Sequence, residues 1–228
     1  MSAALLLVAA ALGAITAAEF VATAMAKFHL VVRLVVLAVA ALALAWVAGV
    51  FLAGWWIVLA IAGLWFLVRT DHPWAFAGHL AVAALLFVLA LAGDIDLSDS
   101  PLLDALDAAP LLDDTDPARA LLAVAVFAFL SRPANAVVRV VLDRAGPNVL
   151  AEEKTLKGGR FLGPLERWMI FGFALSGQYA VLTAIIAAKG ILRFPEISQD
   201  ARHGTKAEYV LIGSFVSWAL ALAFVPLF

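Results

Sequence analysis

The chain has 228 residues; 65% are apolar, 14% are charged, the net charge is −2 and the mean hydropathy is +1.05. Soluble domains average about half apolar and a quarter charged, so this composition excludes a soluble enzyme, a nucleic-acid-binding domain and a disordered chain. About 148 apolar side chains, at about 20 per membrane helix, set a ceiling near seven spans. The absence of cysteine removes disulfides, thiolate metal sites and cysteine nucleophiles.

In chain order, residues 3–26 form an Ala/Leu/Val run interrupted only by Glu19. Ala17-Ala18 has the small residues of a signal-peptide cleavage site, but Met1-Ser2-Ala3-Ala4 lacks a basic n-region, so a retained first helix is expected. Residues 30–68 are too long for one span and read as a helical hairpin, about 30–49 and 53–68. Gly49 and Gly54 bracket its turn, and Trp46, Trp55 and Trp56 mark a membrane boundary. Arg69, Asp71, His72 and Pro73 make the next turn, and 74–93 the fourth span. Within the acidic segment 94–117, Ser100-Pro101 reads as an N-cap opening a short surface helix. Residues 118–144 read as one helix kinked at Pro133, and 145–163 as a loop.

From Pro164 to Phe194 the chain permits about 46 Å of helix, longer than a hydrocarbon core. It is expected either to tilt as one long span, the preferred reading, or to break near Ser176-Gly177 into a re-entrant pair. The last span is 207–226. The expected fold is all-α: one transmembrane domain over 1–228 with about seven spans, or six plus a re-entrant hairpin.

The charges segregate. Eight aspartates and no cation lie between Asp94 and Asp116, whereas seven cations face four acids from Arg132 to Arg167. Basic short loops stay cytoplasmic, which places 145–163 inside, 94–117 outside, the N-terminus outside and the C-terminus inside.

The charges left in apolar segments are the candidate functional groups, because a charge in lipid needs a partner or a path to water. Lys189 and Glu208 flank the 190–206 connection at similar depth and are expected to meet, with Arg193 or Glu196 joining them. Glu19 and Arg33 flank the first turn and are expected to form an ion pair, with a proton-carrying Glu19 as the sharper alternative. His79, seven residues after His72, reads as a hydrogen-bonding helix contact, and Gln178-Tyr179 as a mid-helix polar pair. Gly172, Ser176, Ala180, Ala184 and Ala188, and later Gly213, Ser217 and Ala221, form small-residue stripes suited to close helix packing. The aspartates lack calcium-loop spacing, and no hydrolase, zinc-protease, P-loop or dinucleotide motif is present, so no metal or cofactor is expected.

The segments Gly163-Pro164-Leu165-Glu166-Arg167, then Ala187-Ala188-Lys189-Gly190-Ile191-Leu192-Arg193-Phe194, then Glu208-Tyr209-Val210-Leu211-Ile212-Gly213-Ser214 with Ser217 carry a resemblance. Over about 160–217 the chain resembles the C-terminal half of an uncharacterised bacterial family of integral membrane proteins, a domain of unknown function. Members carry histidine and acidic residues in their early helices, which Glu19, His79 and Asp71 echo here. The resemblance implies a polytopic bacterial inner-membrane protein and one constellation of Glu166, Arg167, Lys189, Arg193, Glu208 and Tyr209. It implies no activity or cofactor.

Three functions follow as expectations. The first is a non-enzymatic protein, either binding an anionic lipid-like ligand through Lys189, Arg193 and Arg202, with Glu208 ordering the lysine, or serving as a subunit of a homo-oligomer or membrane complex. The second is a small proton-coupled transporter that titrates Glu19, His79 or Glu166. The third is an intramembrane lipid-modifying enzyme, for which no nucleophile or metal set is found.

Overall fold

A computed structural model describes residues 3–67, 75–91, 116–146, 148–149, 159–198 and 205–228. These form helices joined by turns, with no strand among them: α1 (Ala3–Ala24), α2 (Leu30–Val47), α3 (Phe51–Leu67), α4 (Ala75–Leu91), α5 (Pro117–Phe129), α6 (Arg132–Ala145), α7 (Gly159–Leu175), α8 (Tyr179–Ser198) and α9 (Thr205–Ala223). A short 3₁₀ turn, Val225–Leu227, ends the chain. The helices fall into two compact units, Met1–Pro133 and Ala134–Phe228.

In the first unit α1 is the central strut, contacting α2, α3, α4 and α5. A helix that is apolar on every side has no face to offer water and is buried when partners surround it. Leu6, Leu7, Leu12 and Ile15 are fully buried, with alanines between them. Small residues set the spacing: an added Cβ on Gly54 of α3 meets Leu7 Cδ1 at 2.7 Å. By contrast, α2 is largely uncovered: 17% of its span is buried, against 67% of α1. Val31, Val35 and Val39 lie on its open side, an apolar display that a bilayer tolerates and water does not.

The α2–α3 hairpin is present as expected. Gly49 sits at φ 70, Val50 N–H donates to Ala45 O and Gly49 N–H to Trp46 O, both at 3.0 Å. This pattern closes a helix C-terminus through a left-handed residue, which glycine adopts without a Cβ clash.

The same device corrects the reading of 164–194 as one span. Gly177 lies at φ 67, Gln178 N–H donates to Phe173 O at 2.8 Å and Gly177 N–H to Ala174 O at 3.1 Å. The chain therefore stops at Leu175 and restarts at Tyr179, and α7 packs on α8 while α9 packs on both. Gln178, expected in mid-helix, is an exposed residue of this turn, and Tyr179 is exposed at the start of α8. The first small-residue stripe is cut by the turn, and Ala180, Ala184 and Ala188 are exposed. The second holds: Ser217 and Ala221 are buried, and a Cβ on Gly213 meets Leu142 and Val138 of α6 at 4.0 Å.

The expected helix over 118–144 is two helices. Pro133 has no amide to donate to Phe129, so α5 ends there, and α6 restarts with the proline in its first turn. Asp116 caps α5, accepting from Ala118 N–H at 3.1 Å ahead of Pro117. The loop expected over 145–163 is helical from Gly159 onward. The short helix expected after Ser100-Pro101 and the turn with Asp71 and His72 lie outside the described residues.

The expected seven spans are also corrected. Among the described residues three helices are long and apolar enough to cross a membrane: Ala4–Ala24, Leu30–Val47 and Thr205–Leu227. A fourth joins them if Pro117–Phe129 and Arg132–Ala145 serve together as one bent span. Within the described residues α3, α4 and α7 run for 17 residues each, a rise of about 26 Å against a core of about 30 Å. Helix α8 is longer but carries Lys189, Arg193 and Glu196.

Replacing Gly177 by valine forces a β-branched residue into the left-handed region. We expect destabilisation of about 1–3 kcal/mol, read as a lower Tm in detergent, with the same change at exposed Ala180 nearly silent. Equal Tm shifts at the two positions contradict the turn.

Candidate functional site

The second unit holds the richest set of polar side chains among the described residues. Arg167, near the middle of α7, is 1% exposed. Its Nη1 donates to Ser217 Oγ of α9 at 3.0 Å and its Nη2 to Asn135 Oδ1 of α6 at 2.6 Å. One guanidinium thereby ties three helices, as its planar fork of donors allows and an ammonium does not. Gly163, one turn earlier, leaves room for it: an added Cβ lies 3.4 Å from Arg167 Nη1 and 3.5 Å from Asn135 Oδ1.

The neighbouring Glu166 forms an ion pair with Lys189 of α8, both side chains being 20% exposed. The Lys189 ammonium also lies 5.6 Å from the ring centroid of Trp218, next to Ser217 on α9. Adjacent residues on α7 thus serve different neighbours: Glu166 turns to α8 and Arg167 to α6 and α9. Glu166 and Lys189 stand 11 and 12 residues either side of Gly177, and residues equidistant from an antiparallel turn sit at one level.

The sequence reading placed Glu208 opposite Lys189; the carboxylate that the lysine reaches is Glu166. Glu208 is exposed in the first turn of α9, where a negative charge complements the helix dipole. Arg193 is one turn beyond Lys189 on α8 and partly exposed, as is Tyr209 on α9. Arg202 lies outside the described residues. Three of the expected residues, Glu166, Arg167 and Lys189, are brought together. Asn135 and Trp218 were missed, and Ser217 was noted as a small packing residue and in the resemblance, not as a hydrogen-bond partner of Arg167. Asn135 had one signal, a lone amide on the apolar stretch after Pro133; Trp218 had none.

In the first unit the expected Glu19–Arg33 ion pair is replaced by contacts to aromatic rings. Glu19 Oε2 accepts from Trp65 Nε1 of α3 at 3.2 Å. Arg33 of α2 lies over Phe66, 4.9 Å from the ring centroid, and its Nε is buried without an acceptor. Trp65 packs edge-on against His79 of α4, with ring centroids 4.5 Å apart, and against Phe129 of α5 at 6.0 Å. His79 Nδ1 donates to Ala75 O at 2.7 Å, which assigns the proton to Nδ1 and leaves Nε2 as the acceptor in the neutral ring.

No three His, Asp or Glu side chains among the described residues are grouped to hold a metal ion. The chain matches no family model, no curated protein and no solved structure.

The ion pair is testable by a double-mutant cycle. Glu166→Gln and Lys189→Met should couple by about 1–3 kcal/mol in detergent unfolding, because each single change strands a partly buried partner. Glu208→Gln with Lys189→Met should couple by less than about 0.5 kcal/mol. The reverse ranking refutes the pairing.

Proposed function

We propose that this is an integral membrane protein that binds an anionic, lipid-like ligand on the Lys189–Arg193 face of α8. The observation that carries the reading is the charge balance of the α7–α8 hairpin beside an open apolar surface. The two helices hold four cations, Arg160, Arg167, Lys189 and Arg193, against two acids, Glu166 and Glu196. Two of those cations, Lys189 and Arg193, are one turn apart on α8, a spacing at which two like charges favour a shared anion. Ile191, Leu192 and Phe194 on α8 and Phe215 on α9 are more than 60% exposed, a surface suited to acyl chains. In this reading Glu166 and the Trp218 ring orient Lys189, a role first assigned to Glu208, and the Arg167–Asn135–Ser217 brace holds α7 and α9 behind it. A place in a homo-oligomer or larger membrane complex is compatible with the same exposed surface. The resemblance over 160–217 makes a bacterial inner membrane the proposed location.

The proposed orientation puts the α1–α2 turn, with Lys27 and Arg33, in the cytoplasm and the α2–α3 turn, with Trp46, Trp55 and Trp56, outside. Lysine and arginine are retained on the cytoplasmic side, whereas tryptophan tolerates either interface.

Native mass spectrometry of protein loaded with phosphatidylglycerol or phosphatidylcholine tests the ligand. Lys189→Gln and Arg193→Gln should each lower the retained ratio of anionic to zwitterionic lipid about fivefold, one surface cation being worth about 1 kcal/mol. Glu166→Gln should raise that ratio, since it frees the lysine charge. Unchanged ratios in all three variants reject the reading. The orientation is read directly, because the chain has no cysteine to remove. In spheroplasts an impermeant maleimide should label a Cys placed at the exposed Trp46 (Trp46→Cys) and leave Lys27→Cys unlabelled until the membrane is permeabilised, and the opposite pattern inverts the topology.

A further inference from the structure

At the end of the first unit where α1 gives way to α2, basic and apolar side chains alternate on the surface. Lys27, Phe28, His29, Leu30 and Val31 are exposed in sequence, and Arg33 follows in the first turn of α2. No acidic residue occurs between Glu19 and Asp71, and the Glu19 carboxylate accepts from Trp65. Among the described residues the Arg33 side chain forms no hydrogen bond or ion pair. Its guanidinium is held over Phe66, with Nε sealed away from solvent. Exposed Arg132 reaches this end as well, its Nη1 donating to Thr23 Oγ1 at 3.5 Å.

A guanidinium held over a ring is restrained in orientation, and the terminal N–H groups of Arg33, which are not sealed in like Nε, can donate to an acceptor beside the ring. Phosphate suits that fork better than any other common anion of the membrane surface. The surrounding apolar groups decide the source. Phe20, Phe28 and Leu30 are each more than half exposed and Val31 is 70% exposed, which suits the headgroup–acyl boundary and costs free energy in water. We infer that this end of the first unit seats the phosphate of an anionic phospholipid, with Arg33 as its anchor and Lys27 as a flanking charge. The site uses no residue of the Lys189–Arg193 face and stands or falls independently of it.

The test is lipid retention by the full chain in native mass spectrometry, with phosphatidylglycerol against phosphatidylcholine. Arg33→Gln should lower the retained anionic-to-zwitterionic ratio about fivefold, and Lys27→Gln/Arg33→Gln about 25-fold, as expected for about 1 kcal/mol per cation. Arg33→Lys should recover part of the loss, keeping the charge without the fork. The same losses should appear in a Lys189→Gln/Arg193→Gln background, so failure at one site is distinguishable from failure at the other. Excess inorganic phosphate should compete poorly, because it lacks acyl chains. An unchanged ratio in Arg33→Gln, a lower Tm without a change in ratio, or displacement by free phosphate at equal concentration each overturns the inference.

Discussion

A carboxylate and an ammonium left singly in an apolar helix bundle are costly, and Glu166 and Lys189 avoid that cost only because the chain reverses between them. In an unbroken helix the 23 residues separating them would span about 35 Å. The reversal rests on Gly177, whose left-handed backbone lets Gln178 and Gly177 cap the carbonyls of Phe173 and Ala174. Once α8 folds back along α7, the remaining polar groups of the second unit fall into place. Lys189 reaches both Glu166 and the Trp218 ring, and Arg167, on the next position of α7, is turned toward Ser217 and Asn135. A single turn thus decides which charges are partnered and which helices are braced.

The first unit handles its polar groups by other means. Glu19 is satisfied by an indole N–H and Arg33 lies on a phenyl ring, so each is stabilised by an aromatic side chain near the C-terminus of α3. Trp65 and Phe66 are adjacent in sequence and face different neighbours, α1 in one case and α2 in the other. Such contacts preserve the formal charge of each group while fixing its position. In the second unit, by contrast, the Lys189 ammonium is partnered by a carboxylate, Glu166.

The two glycine turns show how far the sequence was legible. Gly49 was readable because the apolar run around it is too long for one span and tryptophans flank it. Gly177 has the same backbone role, but the stretch from Pro164 to Phe194 exceeds one span by less, and no aromatic pair marks the break; Ser176-Gly177 stood only as an alternative. The Glu208 pairing rested on equal depth across the 190–206 connection, and the turn at Gly177 brings another carboxylate, Glu166, to Lys189 instead. The Glu19–Arg33 pairing was misjudged as well: equal height about a turn says nothing of the side to which each residue points. Trp218 was invisible and Asn135 only faintly marked, because neutral side chains enter this site through the charges they touch.

Composition by itself determined a membrane-compatible chain, and its described residues form helices without strands. Apolar content is a sum over residues, and every backbone polar group in lipid must be satisfied within its own helix. Local patterning also determined the α2–α3 hairpin and the identity of the charged residues worth attention. Tertiary structure alone decided the number of membrane-length helices, the break at Gly177, and the pairing of Lys189 with Glu166 and of Glu19 with Trp65. Each of those depends on the direction in which a helix leaves a turn, a property of backbone geometry that hydropathy does not encode.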